Sequence, residues 1–82
     1  MKLGETIRVA REWRWINQSA LATMAGVTPA HISLIEAGRR TPSLELLREI
    51  ADALDLPLHT LIYIAQEAQD QHEVVGLLEE EA

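Results

Sequence analysis

The chain has 82 residues, of which 48% are hydrophobic, and a formal net charge of −6. This length supports one domain with a single modest core, and no apolar run reaches the roughly 18 residues that a membrane-spanning helix needs. The absence of cysteine excludes disulfides and thiolate metal sites and fits a reducing compartment. Because the N-terminal residues also lack the apolar segment of a signal peptide, we expect a cytoplasmic protein.

The charge is distributed unevenly along the chain. Residues 1–45 carry six basic and four acidic residues, a net of +2, whereas residues 46–82 carry Arg48 and nine acidic residues, a net of −8. A phosphate backbone would attract the first part and repel the second. The alternative is that the acidic part is only a solvated surface, and the sequence leaves both interpretations open.

The composition favours an all-α fold, because good helix formers dominate, Phe is absent and Tyr occurs once. We predict a compact domain of five helices over residues 1–66, followed by an acidic segment, residues 67–82. The apolar spacing weakens after Gln66, and the short apolar cluster 74–78 is interrupted by Gly76. This segment is therefore either a short extra helix or a tail.

Apolar spacing predicts helices over residues 3–15 (or from Glu5), 18–25, 29–37, 44–54 and 57–65. Asn17, Thr28 and Ser43 precede three of these helices as N-caps, whose side-chain oxygens accept hydrogen bonds from free backbone N–H groups. Gly26 and Gly38 follow two of them, where glycine permits a left-handed turn.

The second and third predicted helices form a specific pattern. Both are short, and they are joined by a tight turn that contains Gly26. Ala22 leaves room for the helices to cross closely, while Val27 and Ile32 fill the angle between them. This spacing is typical of a helix-turn-helix, whose second helix enters the major groove of DNA.

The chain resembles the Cro and phage-repressor type of helix-turn-helix, the XRE family. The resemblance is carried by Asn17-Gln18-Ser19-Ala20-Leu21-Ala22, Gly26-Val27-Thr28, Ile32-Ser33, Ile35-Glu36, Gly38-Arg39-Arg40 and Pro42-Ser43-Leu44. It extends over residues 5–64. It implies a lambda-repressor-like fold and a sequence-specific transcriptional regulator, expected to be a repressor. It also implies a homodimer on pseudo-palindromic double-stranded DNA operators.

The resemblance further implies three groups of DNA contacts. Phosphate contacts at the starts of helices are expected from Gln18 and Thr28. The positions that face base edges are Pro29, Ala30, Ser33 and Leu34, with His31 beside them. Contacts to the DNA backbone beyond the groove are expected from Arg39 and Arg40.

The base-facing positions depart from the family pattern, which usually places Gln, Arg, Lys or Asn at several of them. None of the residues here can form a bidentate contact to guanine or adenine. Ala30 and Leu34 can contact a thymine methyl group, and Ser33 can bond to either partner. We therefore predict that specificity depends on thymine methyl contacts and DNA shape, with modest affinity.

Arg11 and Glu36 are predicted to form a structural ion pair. The resemblance matches Arg11 to an arginine that pairs with the glutamate at the end of the third helix. Independently, Arg11 lies on the apolar face of the first helix, where an unpaired charge is costly. Glu36, the acid of the third helix, follows the core residue Ile35.

Two apolar surfaces are candidates for contacts between proteins. The resemblance implies dimerisation through the fifth helix, at Leu58, Leu61, Ile62, Tyr63 and Ala65. A second stripe consists of Val9, Trp13 and Trp15, and monomers seldom leave such a stripe bare. It can be covered by residues 74–78 folding back, which we favour, by a second subunit, or by a foreign protein partner.

No enzymatic or metal chemistry is indicated. His31, His59 and His72 lack the spacing of metal ligands, no nucleophile is paired with a base, and we expect no cofactor. The alternative function is a protein-interaction module, such as an antitoxin or the partner of another regulator, with weak or no DNA binding.

Overall fold

The computed structural model describes residues 2–81, so the end residues of the two predicted segments, Met1 and Ala82, lie outside it. The described chain consists of helices and connecting turns, which confirms the all-α fold class. Its helices are α1 (Leu3–Trp13), α2 (Gln18–Ala25), α3 (Pro29–Glu36), α4 (Leu44–Ala53), α5 (Leu58–Glu67) and α6 (Gln71–Glu81). Helix α6 is the short extra helix that the sequence predicts as one of two alternatives, the other being a tail. None of them is long and apolar enough to cross a membrane.

Three helices begin where the sequence predicts a cap. Asn17, Thr28 and Ser43 each accept a hydrogen bond from the backbone N–H three residues later, at 2.8, 3.2 and 3.1 Å. Pro29 follows Thr28 at the start of α3, where its missing N–H costs no helical hydrogen bond. These local interactions determine where α2, α3 and α4 begin.

Helices α2 and α3 end at glycines, whereas α1 and α4 are followed by left-handed turns at Trp15 and Asp55. Gly26 and Gly38 adopt φ values of 75° and 76°, as predicted. The predicted end of α1 at Trp15 is wrong, because α1 ends at Trp13 and Trp15 itself adopts φ 60°. The N–H of Ile16 then reaches the carbonyl oxygen of Arg11 at 3.1 Å, which closes a left-handed turn of the kind usually formed by glycine.

A single core is shared by all six described helices. Each contributes a side chain that is fully buried, from α1 to α6 respectively Ile7, Leu21, Ile32, Ile50, Leu61 and Val74. The assignment of Leu61 to a dimer interface is therefore wrong. Its side chain has no exposed surface because α1, α4 and α6 all pack against α5.

Helix α6 folds back onto α1 and α5. Val74 and Leu78 on α6 are 0% and 1% exposed and belong to the same buried cluster as Val9 on α1. Val9 is only 5% exposed, so its assignment to the surface for a foreign partner is wrong. The segment 67–82 begins within the last turn of α5, and its described part packs as part of the domain core.

The two tryptophans of the predicted stripe have different environments. Trp13 is half-buried and lines a shallow pocket of about 330 Å³ together with Gln71, His72 and Val75 of α6. Trp15 lies outside this contact and is 95% exposed. The α6 helix therefore covers Val9 and part of Trp13 but not Trp15.

The start of α1 lies directly on the last turn of α3. A Cβ atom at Gly4 would overlap the carbonyl oxygen of Ile35 and lie 2.9 Å from that of Glu36. Glycine is therefore required at this position by close approach of two backbones. This contact fixes the distance between α1 and α3.

We predict that Gly4→Ala lowers the free energy of unfolding by about 1–3 kcal/mol or more, because the added methyl group overlaps backbone atoms that cannot rotate away. The matched control is Gly76→Ala in α6, where a Cβ meets nothing within 4 Å. That change is expected to raise stability by up to about 1 kcal/mol, because alanine is the better helix former. Denaturant unfolding followed by circular dichroism measures both, and equal effects would contradict the close approach.

Candidate nucleic-acid interface

Helices α2 and α3 pack closely against each other across the turn at Gly26. Ala22 is 1% exposed, and its carbonyl oxygen accepts a hydrogen bond from the N–H of Val27 at 3.0 Å. The side chains of Ile32 and Ile35 on the inner side of α3 are buried. The opposite side of α3 is consequently held outward by the core.

The residues predicted to face base edges lie together on this outer side of α3. The exposed positions are Pro29, Ala30, Ser33 and Leu34, with His31 half-buried beside them. Leu34 is 39% exposed although it is a large apolar residue. The surface is thus small, weakly polar and without charge, which matches the chemistry of a thymine methyl group better than that of a guanine edge.

A buried hydrogen-bond network supports α3 from behind. The Nε of Arg11 donates to Glu36 Oε2 at 2.7 Å, and its Nη2 donates to Glu36 Oε1 at 3.0 Å. Another guanidinium nitrogen, Nη1, donates to the carbonyl oxygen of Ile16 at 2.9 Å. The hydrogen bonds to the Glu36 carboxylate raise the pKa of Arg11. The structure therefore brings together the two residues that the sequence paired.

Gln18 joins this network, which the sequence did not predict. Its Nε2 donates to Glu36 Oε1 at 3.0 Å, so one carboxylate links the start of α2 to the end of α3. Because Gln18 was assigned only to a phosphate, its inward hydrogen bond was missed. Gln18 and Glu36 are 18 residues apart and lie on different helices, so no local spacing in the sequence indicates their contact. Contact of Gln18 with phosphate stays a prediction.

The surface around α3 is depleted of carboxylates. Residues 13–44 contain Glu36 as their one acidic residue, and its side chain is 3% exposed. Arg39 and Arg40 follow α3, are exposed, and have no carboxylate partner among residues 2–81. Ten of the thirteen acidic residues lie from Glu45 onward.

The other arginines of the basic part serve structural roles. Arg8 pairs with Glu12 at 2.9 Å on the exposed side of α1. Arg14 donates from Nε to the carbonyl oxygen of Leu54 at 3.0 Å and lies 4.9 Å from the ring centre of Trp13. They are therefore engaged within the domain, whereas Arg39 and Arg40 remain free for an anion.

A family model described as helix-turn-helix matches residues 7–61, which include all of α2, α3 and α4. The chain belongs to the helix-turn-helix family. The predicted membership of the XRE type is thereby confirmed.

Relatives of this helix-turn-helix protein carry regulator names. It is 39% identical over 71 residues to the HTH-type transcriptional repressor RghR of Bacillus subtilis, covering 85% of this chain and 53% of that protein. It is 32% identical over 80 residues to the HTH-type transcriptional regulator SinR of Bacillus licheniformis, covering 96% and 68%. It is 35% identical over 71 residues to the transcriptional regulator ClgR of Mycobacterium tuberculosis, covering 87% and 63%. The chain thus spans about half to two thirds of the length of these relatives.

We predict that Glu36→Ala lowers the free energy of unfolding by about 3–5 kcal/mol, because it leaves the guanidinium of Arg11 buried without its partner. The control is Glu12→Ala, which breaks the exposed pair with Arg8 and is expected to cost about 0.3–0.5 kcal/mol. Glu36→Gln retains an acceptor for Arg11 and should fall between them. Denaturant unfolding gives the three values, and similar losses at residues 12 and 36 would show that the buried network is not needed.

Proposed function

We propose that this helix-turn-helix protein is a sequence-specific transcriptional repressor that acts in the cytoplasm and inserts α3 into the major groove of an operator. The single observation that carries the proposal is the outward presentation of α3 within residues 13–44, whose one carboxylate, that of Glu36, is buried and paired. DNA repels exposed carboxylates, so such a surface suits a phosphate-rich partner. The names of the relatives support the same activity.

The proposed DNA contacts fall into two classes. Arg39 and Arg40, at the end of α3, neutralise backbone phosphates, and Gln18 and Thr28 contact phosphate at the starts of α2 and α3. These contacts position the protein but carry little sequence information. Specificity then depends on the uncharged outer side of α3, with DNA shape contributing where that side makes no base contact.

The base-reading contacts are proposed to be mainly apolar. Ala30 and Leu34 contact thymine methyl groups, and Ser33 and His31 add hydrogen bonds to base edges. Since none of these residues provides a bidentate contact to a purine, affinity for a single half-site is modest. A dimer on two half-sites compensates for this weakness.

We propose a homodimer that forms through the exposed part of α5. Tyr63 is 52% exposed, and Leu58, Ile62 and Ala65 on the same helix are half-buried. Tyr63 shares a pocket of about 370 Å³ with three glutamates at Glu67, Glu73 and Glu80. The proposed interface is therefore an apolar contact with carboxylates at its edge.

A second candidate is a protein-interaction module that binds no DNA. The observation that favours it is Trp15, a large apolar side chain that is 95% exposed in a left-handed turn. This candidate predicts that the protein ignores DNA even at low salt. A DNA binder instead loses affinity steeply as salt increases.

We predict that selection of bound duplexes from a random pool yields two half-sites whose centres are separated by about 10–10.5 base pairs or a multiple of it. Leu34→Ala should weaken binding to the selected site by a few-fold, about 1 kcal/mol, through loss of apolar contact. Uracil lacks the methyl group of thymine, so replacing the contacted thymine by uracil should remove the difference in affinity between Leu34→Ala and the parent protein. Leu44→Ala is the matched control, because Leu44 is 63% exposed on α4 and outside the proposed interface. Failure to enrich any sequence, with no binding at low salt, would favour the protein-interaction module.

We predict that Tyr63→Glu converts a dimer into a monomer, because it places a further carboxylate in an apolar contact already bordered by three glutamates. Raising the salt concentration should strengthen the parent dimer by screening these charges. Sedimentation velocity without DNA measures both effects, with Leu44→Glu as the control for an exposed leucine outside the interface. A parent protein that stays monomeric at all salt concentrations would exclude this interface.

A further inference from the structure

A small pocket lies where the start of α1 meets the loop that follows α3. Its volume is about 190 Å³. The residues that line it are Lys2, Leu3, Gly4, Ile35, Gly38, Arg40, Thr41 and Pro42. The close approach of α1 and α3 at Gly4 brings these two distant parts of the chain together.

Two cations, Lys2 and Arg40, lie at the rim of this pocket, and no carboxylate among residues 2–81 lines it. Both side chains belong to exposed residues, and neither has a carboxylate partner among residues 2–81. Two unpaired cations around one concave site attract an anion more strongly than either does alone. The site is therefore complementary to an anionic ligand.

The floor of the pocket is apolar, formed by Leu3, Ile35 and Pro42. A free inorganic anion gains nothing from such a floor. A nucleic-acid backbone presents charged phosphates that alternate with apolar sugar carbons. The combination of cationic rim and apolar floor thus fits a stretch of DNA backbone better than an isolated ion.

The carbonyl oxygen of Lys2 accepts two hydrogen bonds from Thr6, but its side chain has no hydrogen bond or ion pair among residues 2–81. Lys2 occupies the N-cap position of α1, where an ammonium group cannot accept from the free backbone N–H groups. A cation at the N-terminus of a helix is also unfavourable, because the helix dipole is positive there. Residues that break a local rule without a structural gain are frequently explained by function.

We propose that Lys2 and Arg40 together hold one DNA backbone phosphate beyond the C-terminal end of α3, with the adjoining sugar on Leu3 and Pro42. The proposal rests on the proposed function and adds the start of α1 to the DNA interface. It places a backbone contact at the end of α3 opposite to Thr28, which is the N-cap of that helix. The two contacts hold the helix at both ends and set its angle in the groove.

The test compares the parent protein with Lys2→Gln, Arg40→Gln and the double variant. The control is Arg48→Gln, which removes another exposed, unpaired cation, on α4 and outside the pocket. Affinity for a random duplex is measured between about 50 and 200 mM salt. We expect the slope of log Kd against log salt to decrease by about 0.9 in the double variant, the value for one phosphate contact. Each single variant should decrease it by less, and Arg48→Gln should leave it unchanged.

A second arm identifies the phosphate. Each phosphate of the selected site is replaced in turn by an uncharged methylphosphonate. At one position, this replacement should remove the difference in affinity between the parent protein and the double variant. Addition of inorganic phosphate at constant ionic strength should not compete, whereas competition would show a site for a free anion and overturn the proposal. The proposal would also be overturned if the parent protein binds DNA with a steep slope of log Kd against log salt and Lys2→Gln leaves that slope unchanged. The proposed function would stand in that case. Absence of parent binding at low salt would instead overturn the proposed function.

Discussion

The buried contact between Arg11 and Glu36 determines how this helix-turn-helix is assembled. Because the carboxylate of Glu36 accepts from both Arg11 and Gln18, it links the first helix, the start of the second and the end of the third. Removal of either residue would leave the charge of the other buried and unpaired, with a large loss of stability. The inner side of α3 is thus constrained by both apolar packing and charge. Its outer side, by contrast, takes no part in this network or in the buried cluster.

Features that depend on neighbouring residues could be predicted from the sequence. Asn17, Thr28 and Ser43 cap helices because a cap needs only a side-chain oxygen and the next few backbone N–H groups. Gly26 and Gly38 turn the chain for an equally local reason. Pairing of Arg11 with Glu36 could be predicted across 25 residues, since the cost of a lone buried charge restricts the choice of partners and the family resemblance names one.

Features that depend on the distance between helices could not be predicted. The role of Gly4 follows from the position of the backbone of α3, which no spacing near residue 4 reveals. The burial of Leu61 follows from the packing of α1, α4 and α6 against α5, and the weak apolar pattern after Gln66 does not reveal α6. The sequence does not show that α1 ends before Trp15, because a left-handed conformation is rare for a residue with a large side chain.

The one-sided charge has a consequence for how such a protein would find its operator. With a net charge of −6, the molecule as a whole is repelled by DNA at a distance, and attraction develops only when α3 and its two arginines turn towards the duplex. Under the proposed function, residence on unrelated DNA would then be brief, and sliding along the duplex would contribute little. The search for an operator would proceed mainly through repeated collisions from solution, so that occupancy would depend closely on the concentration of the protein.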